Sequence, residues 1–247
     1  MLAITEGFAP QHKWDRNFFL GLILLGWVGI VMGFGGDMAD HFASHEPAYL
    51  PIVHIHAAAF VAWLVLITVQ ILLIRSTAYD LHKKLGVAMA VLAVAMVVLG
   101  PLAEMTVQAH NFGTKHSDPA FLAISFTEMT AFAGLIGAAL ALRKYSSAHK
   151  RLMLMGTLYL TSAGFARWDG GLFSHLFGHG FWGMLMLLYA CSTALILCIG
   201  LYDLITRRRL HPAFVLGLLW VVANEGVSIW LYGLPAWRTF ATHIIGH

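Results

Sequence analysis

From Ala57 to Ile74 the chain reads AAAFVAWLVLITVQILLI, eighteen residues without a charge. A run of that length is enough to cross the hydrocarbon core of a bilayer as a helix. It is preceded by Pro51 and by the pair His54 and His56, and it closes at Arg75. Other apolar runs follow at similar length, separated by short polar stretches. Backbone in lipid must satisfy its own hydrogen bonds, so a chain of this kind can form a helical bundle or a closed barrel. The alternating ten-residue segments of a barrel are absent, which leaves helices.

The pattern predicts an all-α, polytopic membrane protein with seven transmembrane helices in a single bundle over residues 1–247. Helix 1 is expected at about 17–35, ending in GFGGD, a glycine-rich stop. Three hairpins are expected at about 51–102, 120–166 and 181–232. Met1–Arg16 lacks the pattern of a cleavable signal, so the first apolar run is expected to stay as helix 1. Charged residues are only 11% of the chain, which argues against a soluble domain with its usual share of about 25%. Cys191 and Cys198 lie in one apolar run, about 10 Å apart along a helix, too far for a disulfide. They read as small packing residues.

Twelve of the fifteen lysines and arginines fall in the N-terminal segment and in the loops after the second, fourth and sixth runs. Only Lys115, Arg167 and Arg238 fall on the other side. Basic residues set orientation, so the N-terminus is expected in the cytoplasm of a bacterial inner membrane and the C-terminus outside. The net charge of +3 is explained by that sorting and gives no reason to expect nucleic acid. The three basic loops share a form: His82-Lys83-Lys84, His149-Lys150-Arg151 and RRRLHP ending in His211 and Pro212. They mark a weak repeat of about sixty residues, as in a bundle of similar hairpins.

The histidines divide unevenly. His12, His82, His149 and His211 belong to the basic side, where capping of backbone groups or contact with anionic headgroups would account for them. Ten fall on the other side, with Asp37, Asp40, Glu46, Glu104, Asp118 and Asp169. Three pairs there have i, i+4 spacing: His41 and His45, His175 and His179, His243 and His247. On a helix such a pair shows two imidazoles on one face, as a bound Fe, Cu or Zn ion requires. A polar outer surface would account for them equally well. His54 and His56 sit just inside an apolar run, as do Glu128, Asn224 and Glu225, and Arg167 ends the fifth run. Ionisable groups in such places are costly and mark function by default. Glu128 and Arg167 either neutralise each other or frame a site with His54 or His56. There the carboxylate would be a ligand or proton acceptor, and the guanidinium would hold an anionic group.

The stretches VHIHAAAFVAWL, LHKKLG, AHKRLM, LHPAFV and LPAW resemble those of a widespread group of bacterial seven-helix membrane proteins. That resemblance covers the chain from about the second helix onward and implies a fold and no particular activity. A weaker similarity is to cytochrome b561, in which a histidine-bearing helix is followed by a Leu-His-x-x-Leu-Gly helix start. It implies that His82 and His149 bind haem b. The membrane desaturases also have histidine boxes, with different spacings.

Three functions follow as expectations. The first is a metalloprotein with a His/carboxylate site at the outer end, built from His54, His56, His175, His179, His41 and His45 with Glu128 and Arg167 as catalytic groups. It would carry out redox or hydrolytic chemistry on a lipid-like or quinone-like molecule, using a metal-bound water in the hydrolytic case. The second is a haem b electron carrier using His82 and His149. The third is a non-catalytic accessory subunit packed against partner membrane subunits and lipid. A transporter lined by Glu128, Asn224 and Glu225 is a further alternative.

Overall fold

The computed structural model describes residues 8–9, 11–45 and 47–246. Among them the regular structure is helical: α1 (Asp15–Ala43), α2 (Pro51–Arg75), α3 (Tyr79–His110), α4 (Leu122–Ala141), α5 (Ser146–Leu160), α6 (Ser162–Phe177), α7 (Phe181–Arg207), α8 (Pro212–Tyr232) and α9 (Pro235–Ile244). A single 3-10 turn, Pro119–Phe121, leads into α4. Six of these helices (α1 to α4, α7 and α8) are long and apolar enough to cross a membrane.

The outward faces are apolar, as a lipid-facing surface requires. On α3, Val87, Val91, Val94 and Val98 recur at helical spacing and are 61–69% exposed. Proline at the first turn starts α2, α8 and α9, where its missing N–H has no partner to lose.

Helix α5 is the axis of the bundle. Twelve of its fifteen residues are buried. It packs on α4, α7 and α8, while α6 packs on α1 and α7. Tyr159 on α5 stacks on Tyr189 of α7, with ring centres 5.7 Å apart, and Trp63 of α2 donates its indole N–H to Thr157 at 3.1 Å. The α1–α6 contact is close because both backbones are bare there. A Cβ at Gly33 would lie 2.0 Å from the Gly164 carbonyl oxygen, and one at Gly164 would lie 2.6 Å from that of Gly29. Small residues permit this approach between membrane helices.

Three sequence expectations about helix ends are corrected. Helix 1 runs through GFGGD to Ala43, and Gly33 within that stretch packs against α6 rather than ending the helix. The third helix continues past Pro101 to His110. The expected fifth helix is two: α5 ends at Leu160, Thr161 intervenes, and α6 continues through most of the expected loop to Phe177. Polar composition marks where a helix leaves lipid, not where it ends.

Candidate functional site

At the end of the bundle that bears the basic loops, a buried ionic cluster ties α1, α5 and α7 together. Arg151 is fully buried and forks onto Asp203, its Nε donating to Oδ2 at 2.7 Å and its Nη2 to Oδ1. Its Nη1 donates to the Ser147 carbonyl at 2.7 Å. Asp15 accepts from Lys150 at 2.6 Å, from Tyr202 at 2.7 Å and from Arg207 at 2.9 and 3.0 Å. Charges leave water only when paired and hydrogen-bonded in this way. Phe8 lies against the guanidinium groups of Arg151, Arg207 and Arg209. His211 acts as the cap of α8: its Nδ1 accepts from the Ala213 N–H at 3.0 Å. The other nitrogen therefore carries the proton and donates to the Ser147 hydroxyl at 3.1 Å. The capping account thus holds for His211.

His82 and His149 come together at the same end, from α3 and α5. Their ring centres are 6.5 Å apart and their planes are perpendicular. Nδ1 of His149 lies 2.8 Å from the Ala139 carbonyl, which can only accept. That bond fixes the proton on Nδ1 and leaves Nε2 with its lone pair. Gln70 of α2 donates to the His82 carbonyl at 3.2 Å. Nδ1 of His82 and Oε1 of Gln70 are buried without a partner. The close spacing of the two rings, the fixed tautomer of His149 and the unpartnered nitrogen of His82 make these the residues that could hold a metal-containing group at this end.

The opposite end is looser. Neither of the two i, i+4 histidine pairs that are fully described lies on unbroken helix. Ser44 caps α1 between His41 and His45, and His45 is left-handed with φ 53°. Gly178, φ 73°, ends α6 between His175 and His179, both of which are exposed. Gly246, φ 92°, follows α9 after His243, and His247 lies outside the described residues, as does Glu46. For His41/His45 and His175/His179 the expected shared face fails because each pair straddles a helix C-terminus. His41 stacks on Tyr49 at 4.0 Å, and Tyr49 meets His54 edge-on at 6.3 Å. His56 stacks on Phe60 at 4.2 Å, and its Nδ1 is buried without a hydrogen bond. Among the described residues, no three His, Cys, Asp or Glu side chains gather as a ligand set.

Glu128 and Arg167 do not form a direct pair. Arg167 lies 3.6 Å from Asp37 and over the Phe34 ring at 4.4 Å. Glu128 accepts from the Ser162 hydroxyl at 2.8 Å and feels Arg167 and Glu104 through space. Deeper in the core, Glu225 accepts from Thr193, and Tyr189 exchanges a 2.8 Å hydrogen bond with Ser228. Both carboxyl groups lie within electrostatic reach of the stacked Tyr159 and Tyr189. Each carboxyl group is held by a hydroxyl rather than by a directly bonded cation. Cys191, read from sequence as packing, donates its thiol to Asp169 at 2.8 Å.

Sequence reasoning missed Asp15, Asp203, Gln70, Tyr159 and Tyr189. The available signal was cost: Asp203 and Gln70 each interrupt an apolar run and therefore need a partner. Comparison of the chain with protein-family models, curated proteins and solved structures gives no match.

Proposed function

We propose that this chain is a bacterial inner-membrane protein that holds a b-type haem between His82 and His149 and takes part in electron transfer. The observation that carries the reading is the perpendicular pair of imidazoles 6.5 Å apart. Bound there, a haem supplies a one-electron iron couple. The chain's own residues do the positioning. The Ala139 carbonyl orients His149 and makes its free nitrogen a stronger ligand. The Gln70 amide anchors the first turn of α3, which carries His82.

In this reading the basic end faces the cytoplasm, because twelve of the fifteen lysines and arginines belong to it. α5 and α6 together make a seventh crossing. A second reading, a transition-metal site at the outer end, has one observation in its favour: the buried, unpartnered Nδ1 of His56, within electrostatic reach of Arg167.

The test is elemental analysis and an optical spectrum of untagged protein purified without chelators from haem-replete cells. The expected result is about one iron per chain, the stoichiometry of one bis-histidine site, and a Soret band that shifts on reduction. His82→Ala and His149→Ala should each abolish the band, and His211→Asn should keep it. A colourless protein would overturn the haem reading. Zinc or copper lost on His56→Ala would move the site to the outer end. Absence of any metal would favour an accessory subunit.

A further inference from the structure

Three hydrogen-bonded pairs lie in the core at one depth. Glu128 of α4 accepts from Ser162 of α6, Tyr189 of α7 shares a 2.8 Å hydrogen bond with Ser228 of α8, and Glu225 of α8 accepts from Thr193 of α7. A helix rises about 1.5 Å per residue, which sets Glu128 about 9 Å along α4 from Leu122 and Glu225 about 10 Å along α8 from Tyr232. Those two helix ends are level, because the Tyr232 hydroxyl donates to Asp118, just before α4, at 2.7 Å. The pairs therefore form a belt across the bundle and do not run from one end to the other.

Tyr159 of α5 stands between them. Its side chain is fully buried and its ring stacks on Tyr189. Its hydroxyl lies close to that of Tyr189 but has no hydrogen-bond partner. A buried hydroxyl left in that state is costly, and phenylalanine would stack equally well without the cost. Glu128 and Glu225 both act through space on this hydroxyl, and both act on that of Tyr189. The two ends of the belt differ in access. Around Glu128 the charged groups are Glu104 of α3 and Arg167 of α6, and Arg167 is 43% exposed beside Asp37. Glu225 is 4% exposed, and its polar partner is Thr193. Ser228 shares its face of α8, three positions on.

We propose that the belt is a proton relay, by which the buried Glu225 exchanges its proton with the outer surface through Tyr189, Tyr159 and Glu128. In each transfer a hydroxyl gives its proton to the next oxygen and takes one from the oxygen before it. The hydroxyls end unchanged, and one proton has moved between the two carboxyl groups. Tyr159 is the movable member, since no existing hydrogen bond has to break for its hydroxyl to turn. This does not depend on the haem reading, and a colourless protein leaves it intact.

Infrared spectroscopy of the full chain in detergent, followed after transfer into D₂O, tests it. The C=O stretch of a protonated carboxyl shifts on deuteration, and Glu128→Gln and Glu225→Gln each remove one band and so assign it. Both bands should shift in the wild type. Tyr159→Phe, which keeps the ring stack, should slow the Glu225 shift at least about tenfold, the weight of one hydrogen bond, and leave the Glu128 shift unchanged. Ser228→Ala should do the same, and it carries the test if Tyr159→Phe fails to fold. A Glu225 band that exchanges as fast in these variants as in the wild type would overturn the relay. So would a slowing of both carboxyl groups alike, which marks a general tightening of the bundle, or the absence of a protonated Glu225 band that exchanges in the wild type.

Discussion

His211 uses both ring nitrogens in the neutral form, one accepting from the α8 backbone and one donating to Ser147. A second proton would have to sit on Nδ1, against the Ala213 N–H. Burial, and then the positive charge of Arg151, push its pKa down from 6.5 to about 4, with Asp203 opposing in part. In the unfolded chain it takes up a proton near its ordinary value, so over this window the unfolded state binds more protons. Stability is therefore unaffected above pH 6.5 and falls as pH drops from 6.5 to about 4. Thermal unfolding in detergent across that window should show a steeper loss for the wild type than for His211→Asn, which keeps an N-cap acceptor. Equal slopes would remove His211 from the acid response. At this scale the repeated basic loops pointed to capping, which His211 performs, while the pairing of His82 with His149 came from the cytochrome b561 similarity, and their rings stand 6.5 Å apart. The sequence was not readable where a pair closes over a long span. Nothing local in Arg151 announces Asp203, 52 positions later, and Lys150 looks like an orientation charge until Asp15 is seen beside it.

Helices carry the next lesson. Apolar run length located the six helices long and apolar enough to cross a membrane, but their ends were set by contacts the sequence does not display. GFGGD looks like a stop, yet Gly33 is the contact point with α6 while Gly35 has open space around a would-be Cβ. Gly33→Ala should lower the unfolding temperature markedly, since the new methyl meets a backbone oxygen that cannot rotate away; overpacking of this kind costs about 1–3 kcal/mol or more. Gly35→Ala should be neutral or slightly stabilising, because alanine is the better helix former by up to about 1 kcal/mol. Matched thermal melts of the two variants check the contrast. The same reasoning explains the histidine pairs. Their i, i+4 spacing is real, but Ser44, Gly178 and Gly246 each place a helix end within or beside the pair.

For the whole molecule, an all-helical membrane protein was legible from apolar run length and charge alone, whereas the arrangement of helices around α5 was not. Contacts place the two chain ends at opposite ends of the bundle: Phe8 lies among the basic-end arginines, and Arg238 of α9 pairs with Asp118 before α4 at 3.1 Å. With the basic end inside, Lys144→Cys should react with an impermeant maleimide only after permeabilisation, and Gly180→Cys should react in intact spheroplasts. Both would be made in a background lacking Cys191 and Cys198. Labelling of both from one side would reject α5–α6 as a crossing.

The burial of α5 also bears on how such a chain is made. Most membrane helices can partition into lipid one at a time and assemble afterwards. α5 carries Arg151 in its core-facing surface, and the Asp203 that neutralises it is on α7. During synthesis α5 emerges before α7 and α8, so for that interval its arginine has no counter-ion and its polar flank no protein cover. Until then its main available helix partner is α4, which precedes it in the chain. The central helix of this bundle therefore completes its contacts only after α7 and α8 have been made.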